Sequence, residues 1–141
     1  MVSTSLEGKT LGKNRVLEAL GRGGMARVYR AYHPQLDRYV AIKTMHAFLV
    51  EEEGFVERFQ REAQSVARLR HPNIVRVEDI DAYDDPPYLI MELVDAHTLD
   101  QDLPKNDREA VAIFKQIADG LAHMHGRGYV HADMKPNNVM L

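Results

Sequence analysis

Apolar and polar residues alternate in two stretches that flank a glycine cluster, Arg15-Val16-Leu17-Glu18-Ala19-Leu20 and Ala26-Arg27-Val28-Tyr29-Arg30-Ala31-Tyr32. Period-two alternation on both sides of a turn predicts a β-hairpin. Tyr39-Val40-Ala41-Ile42-Lys43 supplies a third strand. From about Glu53 to Leu69 the pattern changes: Phe55, Phe59, Ala63 and Val66 recur at spacings of three and four with charges between them, which predicts an amphipathic helix. His71-Pro72-Asn73 stops it, because a residue before proline is pushed out of the helical region. Ile74 to Ile80 and Tyr88 to Val94 read as two further strands joined by the polar turn Asp84-Asp85-Pro86-Pro87. The expected first region is a five-stranded antiparallel sheet with one helix, an α+β arrangement over residues 11–94.

Beyond Asp95 the pattern turns helical. A short helix is expected near Thr98 to Leu103, then a longer one from about Arg108 to His125 with Val111, Phe114, Ile117, Leu121 and Met124 on one face, ended by Gly126 and Gly128. This change marks a boundary between the sheet-rich region and a helical region spanning 95–141.

Composition narrows the function classes. The 141 residues suffice for one core of ordinary size. With 18 basic and 21 acidic residues the net charge is −3, so there is no broad positive field and no nucleic-acid partner is expected. The absence of cysteine excludes disulfides, thiolate metal sites and a cysteine nucleophile. The first residues, Met1-Val2-Ser3-Thr4-Ser5-Leu6-Glu7, have no signal-peptide core, and no run approaches the roughly 18 apolar residues of a membrane span. A soluble, cytoplasmic protein is the expectation.

Three groups of residues carry chemistry. Gly21, Gly23 and Gly24 lie between two strands, where small residues let backbone N–H groups approach a polyphosphate; a plain hairpin turn would use them equally well. Lys43 ends the run Val40-Ala41-Ile42, and Glu62 falls between the apolar positions of the predicted helix, where it could face the sheet; each alone would suit a solvated surface charge. The segment Val130-His131-Ala132-Asp133-Met134-Lys135-Pro136-Asn137-Asn138-Val139-Met140 combines a carboxylate able to act as a general base, a cation and a metal-binding amide within six positions. A histidine metal site from His123, His125 and His131 is a poor alternative, since residues two apart on a helix point to different sides. The acids Glu78, Asp79, Asp81, Asp84 and Asp85 read as a solvated hairpin face.

Taken together, these motifs resemble bacterial Ser/Thr protein kinases of the Hanks type over essentially the whole chain from about Leu11. The glycine loop is similar to G-x-G-x-x-G-x-V, with Ala26 in place of the third glycine; Val40 to Lys43 matches V-A-I-K; and His131 to Asn138 resembles the catalytic loop H-R-D-L-K-P-x-N. The resemblance implies the smaller lobe of the kinase fold followed by the start of the larger one, and ATP with Mg²⁺ as cofactors. It implies that Gly21, Gly23 and Gly24 cover the phosphates and that Lys43, oriented by Glu62, reaches them. Val28, Ala41 and Met140 would enclose the purine, with Met91 as gatekeeper and Glu92 and Val94 as the backbone hydrogen-bonding hinge. Asp133 would take the substrate hydroxyl proton, Lys135 would steady the γ-phosphoryl charge, and Asn138 would hold Mg²⁺. The partners implied are ATP and a protein substrate of unknown identity.

Two departures qualify the resemblance. The arginine that commonly precedes the catalytic aspartate is Ala132, which puts activation through a phosphorylated loop in doubt. The family's D-F-G, whose aspartate carries the main Mg²⁺, would come about ten residues after Leu141, as would the activation segment and most of the larger lobe. The expectation is therefore a kinase truncated before D-F-G and inactive as an isolated chain. The alternatives are a non-catalytic nucleotide-binding module and half of a split kinase completed by a second chain. Unburied apolar residues on the long helix further predict self-association or a required partner. Bacterial receptor-like kinases often carry a membrane helix beyond the kinase domain, so the resemblance also leaves room for an anchor there.

Overall fold

The structure is a computed structural model, which describes residues 6–22, 26–94 and 98–128. Its elements in chain order are β1 (Thr10–Leu11), β2 (Asn14–Arg22), β3 (Ala26–His33), β4 (Arg38–Met45), α1 (Ala47–Val50), α2 (Phe55–Ala67), β5 (Val77–Asp81), β6 (Tyr88–Glu92) and α3 (Asp107–Gly126). They divide into two compact units, Met1–Arg68 with Arg76–Leu93, and Leu69–Val75 with Val94–Leu141.

The first unit is built on an antiparallel sheet in the order β1-β2-β3-β4-β6-β5. It has six strands, not the expected five. The additional strand, β1, is only two residues long and turns back through Gly12 at φ 60°, too short for any alternation to announce it. Alternation across the sheet sends Val16, Tyr29, Ala31, Val40, Ile42, Tyr88 and Ile90 to one face, where with Leu11 they form the core. The sequence pattern of β2 is imperfect because the register against β3 shifts twice, between Val16 and Glu18 and between Ala19 and Gly21. Each shift is a β-bulge that re-aims the residues after it. The two shifts add to a displacement of two residues, so Gly21 keeps the face parity that an unbroken strand would give it.

Helix α2 buries Phe59 and Ala63, half-buries Phe55 and Val66, and packs against β5. The three-and-four spacing thus selected its inner face correctly. It begins at Gly54, whose φ of 77° suits a residue without Cβ.

In the second unit, α3 starts at an Asn106 cap whose side chain accepts from the Glu109 N–H at 2.9 Å, while the Glu109 carboxylate accepts from the Lys105 N–H at 2.8 Å. This reciprocal arrangement fixes the first turn. Gly128, at φ 78°, follows the helix end. The short helix expected at 98–103 is not formed: Thr98 makes a bridge and the next residues turn, with the Gln101 and Asp102 N–H groups donating to the Thr98 carbonyl. Hydroxyl and carboxylate side chains that bond locally compete with helix here, as Thr98 does with Asp100. Among the described residues no helix is long and apolar enough to cross a membrane.

Candidate active site

Strand register places the candidate residues of the first unit. Gly21 pairs with Val28, Val28 with Lys43, and Lys43 with Leu89, so one row crosses β2, β3, β4 and β6. The next row on the same face runs Glu18, Arg30, Ala41 and Met91. Directly paired residues share a face and stand about 5 Å apart. Gly21, Val28, Ala41, Lys43 and Met91 therefore lie together on the face opposite the core. Ala41 is buried, while Val28, Lys43 and Met91 are half-buried.

This face has a definite chemical character. Gly21 and Ala41 are small and leave room above the sheet, and Val28 and Met91 offer apolar surface to a flat ring. Lys43 brings a cation to the same row as the glycine that opens the loop. Such a strip suits a ligand with an aromatic end and an anionic end. Arg30 also lies here, but its Nε reaches Glu18 Oε1 at 2.8 Å and its guanidinium stands 4.8 Å from the Tyr39 ring centroid, so its charge is already engaged.

Glu92, at the end of β6, has its carboxylate tied to backbone: Oε1 accepts from the Arg76 N–H at 2.8 Å, and the Glu92 N–H donates to the Arg76 carbonyl at 2.9 Å. Val94 belongs to the second unit and is half-buried.

Glu62 is exposed on α2 and takes no part in the ion pairs of Arg30 with Glu18, Arg38 with Glu78 and Arg58 with Glu52. The helix points Phe59 and Ala63 inward, and Glu62 is turned roughly 100° from Ala63, at the margin of the buried stripe. Gly23, Gly24, Asp133, Lys135, Asn138 and Met140 lie outside the described residues.

A cavity of about 430 Å³ opens on the other side of the sheet, floored by Val40, Tyr88 and Ile90 and rimmed by Lys13, Arg38 and Asp79. Its floor residues have the parity of the core, so it does not coincide with the glycine and lysine row. Burial, followed by the charges of Asp81, Asp84 and Asp79, raises the Tyr88 phenol above its ordinary value.

Among the described residues no group of three or more histidine or acidic side chains could hold a metal ion. One juxtaposition escaped the sequence reading: His71 lies beside His123, with ring centroids 5.1 Å apart. They are far apart in the chain, and no local periodicity signals such a contact.

Comparison with known proteins accounts for this arrangement. The family model described as protein kinase domain matches residues 14–141. The chain is 41% identical over 134 residues to the Ser/Thr protein kinase PrkC of Bacillus subtilis, covering 92% of this chain and 21% of that protein. It is 44% identical over 143 residues to PksC of Streptomyces coelicolor, covering 92% of this chain and 26% of that protein. The crystal structure of the Mycobacterium tuberculosis PknI kinase domain superposes with a TM-score of 0.82 at 31% identity, covering 98% of this chain and 58% of that one. The chain spans about a fifth to a quarter of the length of these curated relatives. With the glycine hairpin, the lysine strand and the six-stranded sheet all in place, the chain belongs to the protein kinase family, among bacterial Ser/Thr kinases.

Proposed function

We propose that this chain carries the nucleotide-binding sheet and the catalytic loop of an ATP-dependent Ser/Thr protein kinase. The observation that supports this most strongly is the shared face of Gly21, Val28, Ala41, Lys43 and Met91. The family generally uses ATP and Mg²⁺. ATP, when bound, supplies the γ-phosphoryl group that passes to a protein hydroxyl. Val28, Ala41 and Met91 would take the purine, Gly21, Gly23 and Gly24 would offer backbone N–H groups to the phosphates, and Lys43 would meet their charge. Asp133 would accept the hydroxyl proton, Lys135 would steady negative charge, and Asn138 would offer an amide oxygen to Mg²⁺. A hard cation such as Mg²⁺ prefers carboxylate and phosphate oxygens, so one amide is a weak ligand set.

A polypeptide of these 141 residues alone does not complete phosphoryl transfer in this reading, because it holds no D-F-G carboxylate. The exposed Glu62 accords with that inactivity, since the family's lysine needs its glutamate partner in the catalytic arrangement. A reading as one half of a two-chain kinase gains support from α3, where Val111 and Phe114 are 67% and 66% exposed and await a cover. Dependence on ATP fits the cytoplasm as the compartment. The test is a phosphorylation assay on the purified 141-residue polypeptide with ATP and Mg²⁺: no transfer is expected. Transfer that disappears in both Lys43→Ala and Asp133→Asn would overturn the inactivity. Chemical shifts of the Val28, Ala41 and Lys43 amides that do not respond to ATP would overturn the nucleotide assignment.

A further inference from the structure

The loop of residues 69–75 meets α3 at a pair of imidazoles. The rings of His71 and His123 lie 5.1 Å apart, with their planes tilted by 38°. Around them, Asn73 Nδ2 donates to Gln116 Oε1 at 3.3 Å, and Gly120 lets the loop come close enough that an added Cβ would stand 3.2 Å from the Asn73 carbonyl oxygen. Leu69 and Ile74 are buried.

The His71 ring is part of the turn it belongs to. Its Nδ1 accepts from the Asn73 N–H at 3.1 Å, and the Ile74 N–H donates to the His71 carbonyl at 3.1 Å. An imidazole nitrogen that accepts carries no proton.

His123 supplies the proton sensitivity. Its Nε2 is buried, and no hydrogen bond reaches it among the described residues. An imidazolium there would bury an Nε2–H that has no hydrogen-bond partner among the described residues. The charges that bear on it are Arg127, one turn further along α3, and His71 from the loop. Asp119, one turn back, is exposed and forms no ion pair with it, and Arg70 beside His71 is also exposed. Burial first, then Arg127 and His71, lower the His123 pKa from its ordinary value.

We propose that the contact of His71 with His123 is a proton-sensitive latch, which holds the 69–75 loop on α3 while the His123 imidazole is neutral and releases it when His123 takes up a proton. The loop is the direct continuation of α2, so the latch has a covalent route to the helix that carries Glu62. The inference stands apart from the kinase reading, because it uses none of the nucleotide residues.

The sign follows from linkage. A histidine that titrates lower when docked than when free leaves docking intact above the ordinary value of about 6.5 and weakens it as pH falls below that value. The test is hydrogen exchange of the Asn73 and Ile74 amides in the whole chain, corrected for intrinsic rates, between about pH 7.5 and about pH 5.5. Loop opening is expected to rise at least about threefold over that interval in the wild type. It should stay flat in His123→Gln, with the Ile42 amide of β4 unaffected in both. Equal opening at both pH values, or the same rise in His123→Gln, overturns the latch. If His123→Gln does not fold, a wild-type NMR titration decides. A His123 midpoint below about 6.5, with the Ile74 amide moving in step, supports the latch; a midpoint at or above it, or an unresponsive Ile74, overturns it.

Discussion

The sheet of the first unit and the long helix of the second are both rich in apolar residues, yet they bury them to very different extents. On the core face Val16, Ala31 and Ile42 have 0% exposure, whereas α3 fully buries only Gly120 and leaves Val111 and Phe114 about two-thirds exposed. The sheet finds its partners within its own strands. The helix packs Gly120 against the short loop 69–75, where glycine is the residue that fits. The contrast teaches where the fold is self-sufficient: the strands that carry the glycine and lysine row are held by a finished core, while α3 keeps apolar side chains exposed.

Four substitutions would break or sharpen that contrast. The largest effect is expected from Ile42→Ala, which empties a fully buried position and should cost about 2–5 kcal/mol of stability in denaturant unfolding followed by far-UV circular dichroism. Lys43→Ala should leave the fold intact and weaken ATP binding by the worth of a charge-assisted hydrogen bond, about 1.5–3 kcal/mol, or roughly ten- to a hundredfold in Kd. Asn106→Ala removes the α3 cap and should cost about 1 kcal/mol, read as faster amide exchange confined to the first turn of that helix. Phe114→Ser, on the bare stripe, should change stability by no more than about 0.5 kcal/mol while reducing self-association in analytical ultracentrifugation. A Phe114→Ser cost comparable to that of Ile42→Ala would show that the stripe is already covered and the contrast mistaken.

Much of this was legible in the sequence, and the failures have physical causes. Strands β3, β4 and β6 alternate cleanly, so their faces, and with them the placement of Val28, Ala41, Lys43 and Met91, could be read from parity alone. The spacing of Phe59 and Ala63 selected the inner side of α2. That spacing could not decide Glu62, because a residue at the edge of a stripe turns in or out according to its partner, not its period. The Asn106-x-x-Glu109 cap was present in the sequence as a start signal, and the predicted start at Arg108 fell two residues beyond it. Strand β1 is too short for a pattern, and the two shifts in β2 are set by its pairing with β3. The contact of His71 with His123 is purely tertiary.

The exposed Glu62 gives the functional account its sharpest edge. A carboxylate at the margin of α2 is free of the desolvation cost that would accompany turning toward the sheet, and only a compensating cation would draw it inward. In the proposed reading, nucleotide binding at Lys43 and a pairing of Lys43 with Glu62 are therefore separable: the first would draw on the sheet face, the second on the inward turn of Glu62.

The measurement that tests the central claim most directly is calorimetric titration of the monodisperse 141-residue protein with ATP, with and without Mg²⁺, for the wild type and Lys43→Ala. The account predicts saturable binding by the wild type that weakens in Lys43→Ala. No saturable binding by the wild type, or equal affinity in Lys43→Ala, would contradict it.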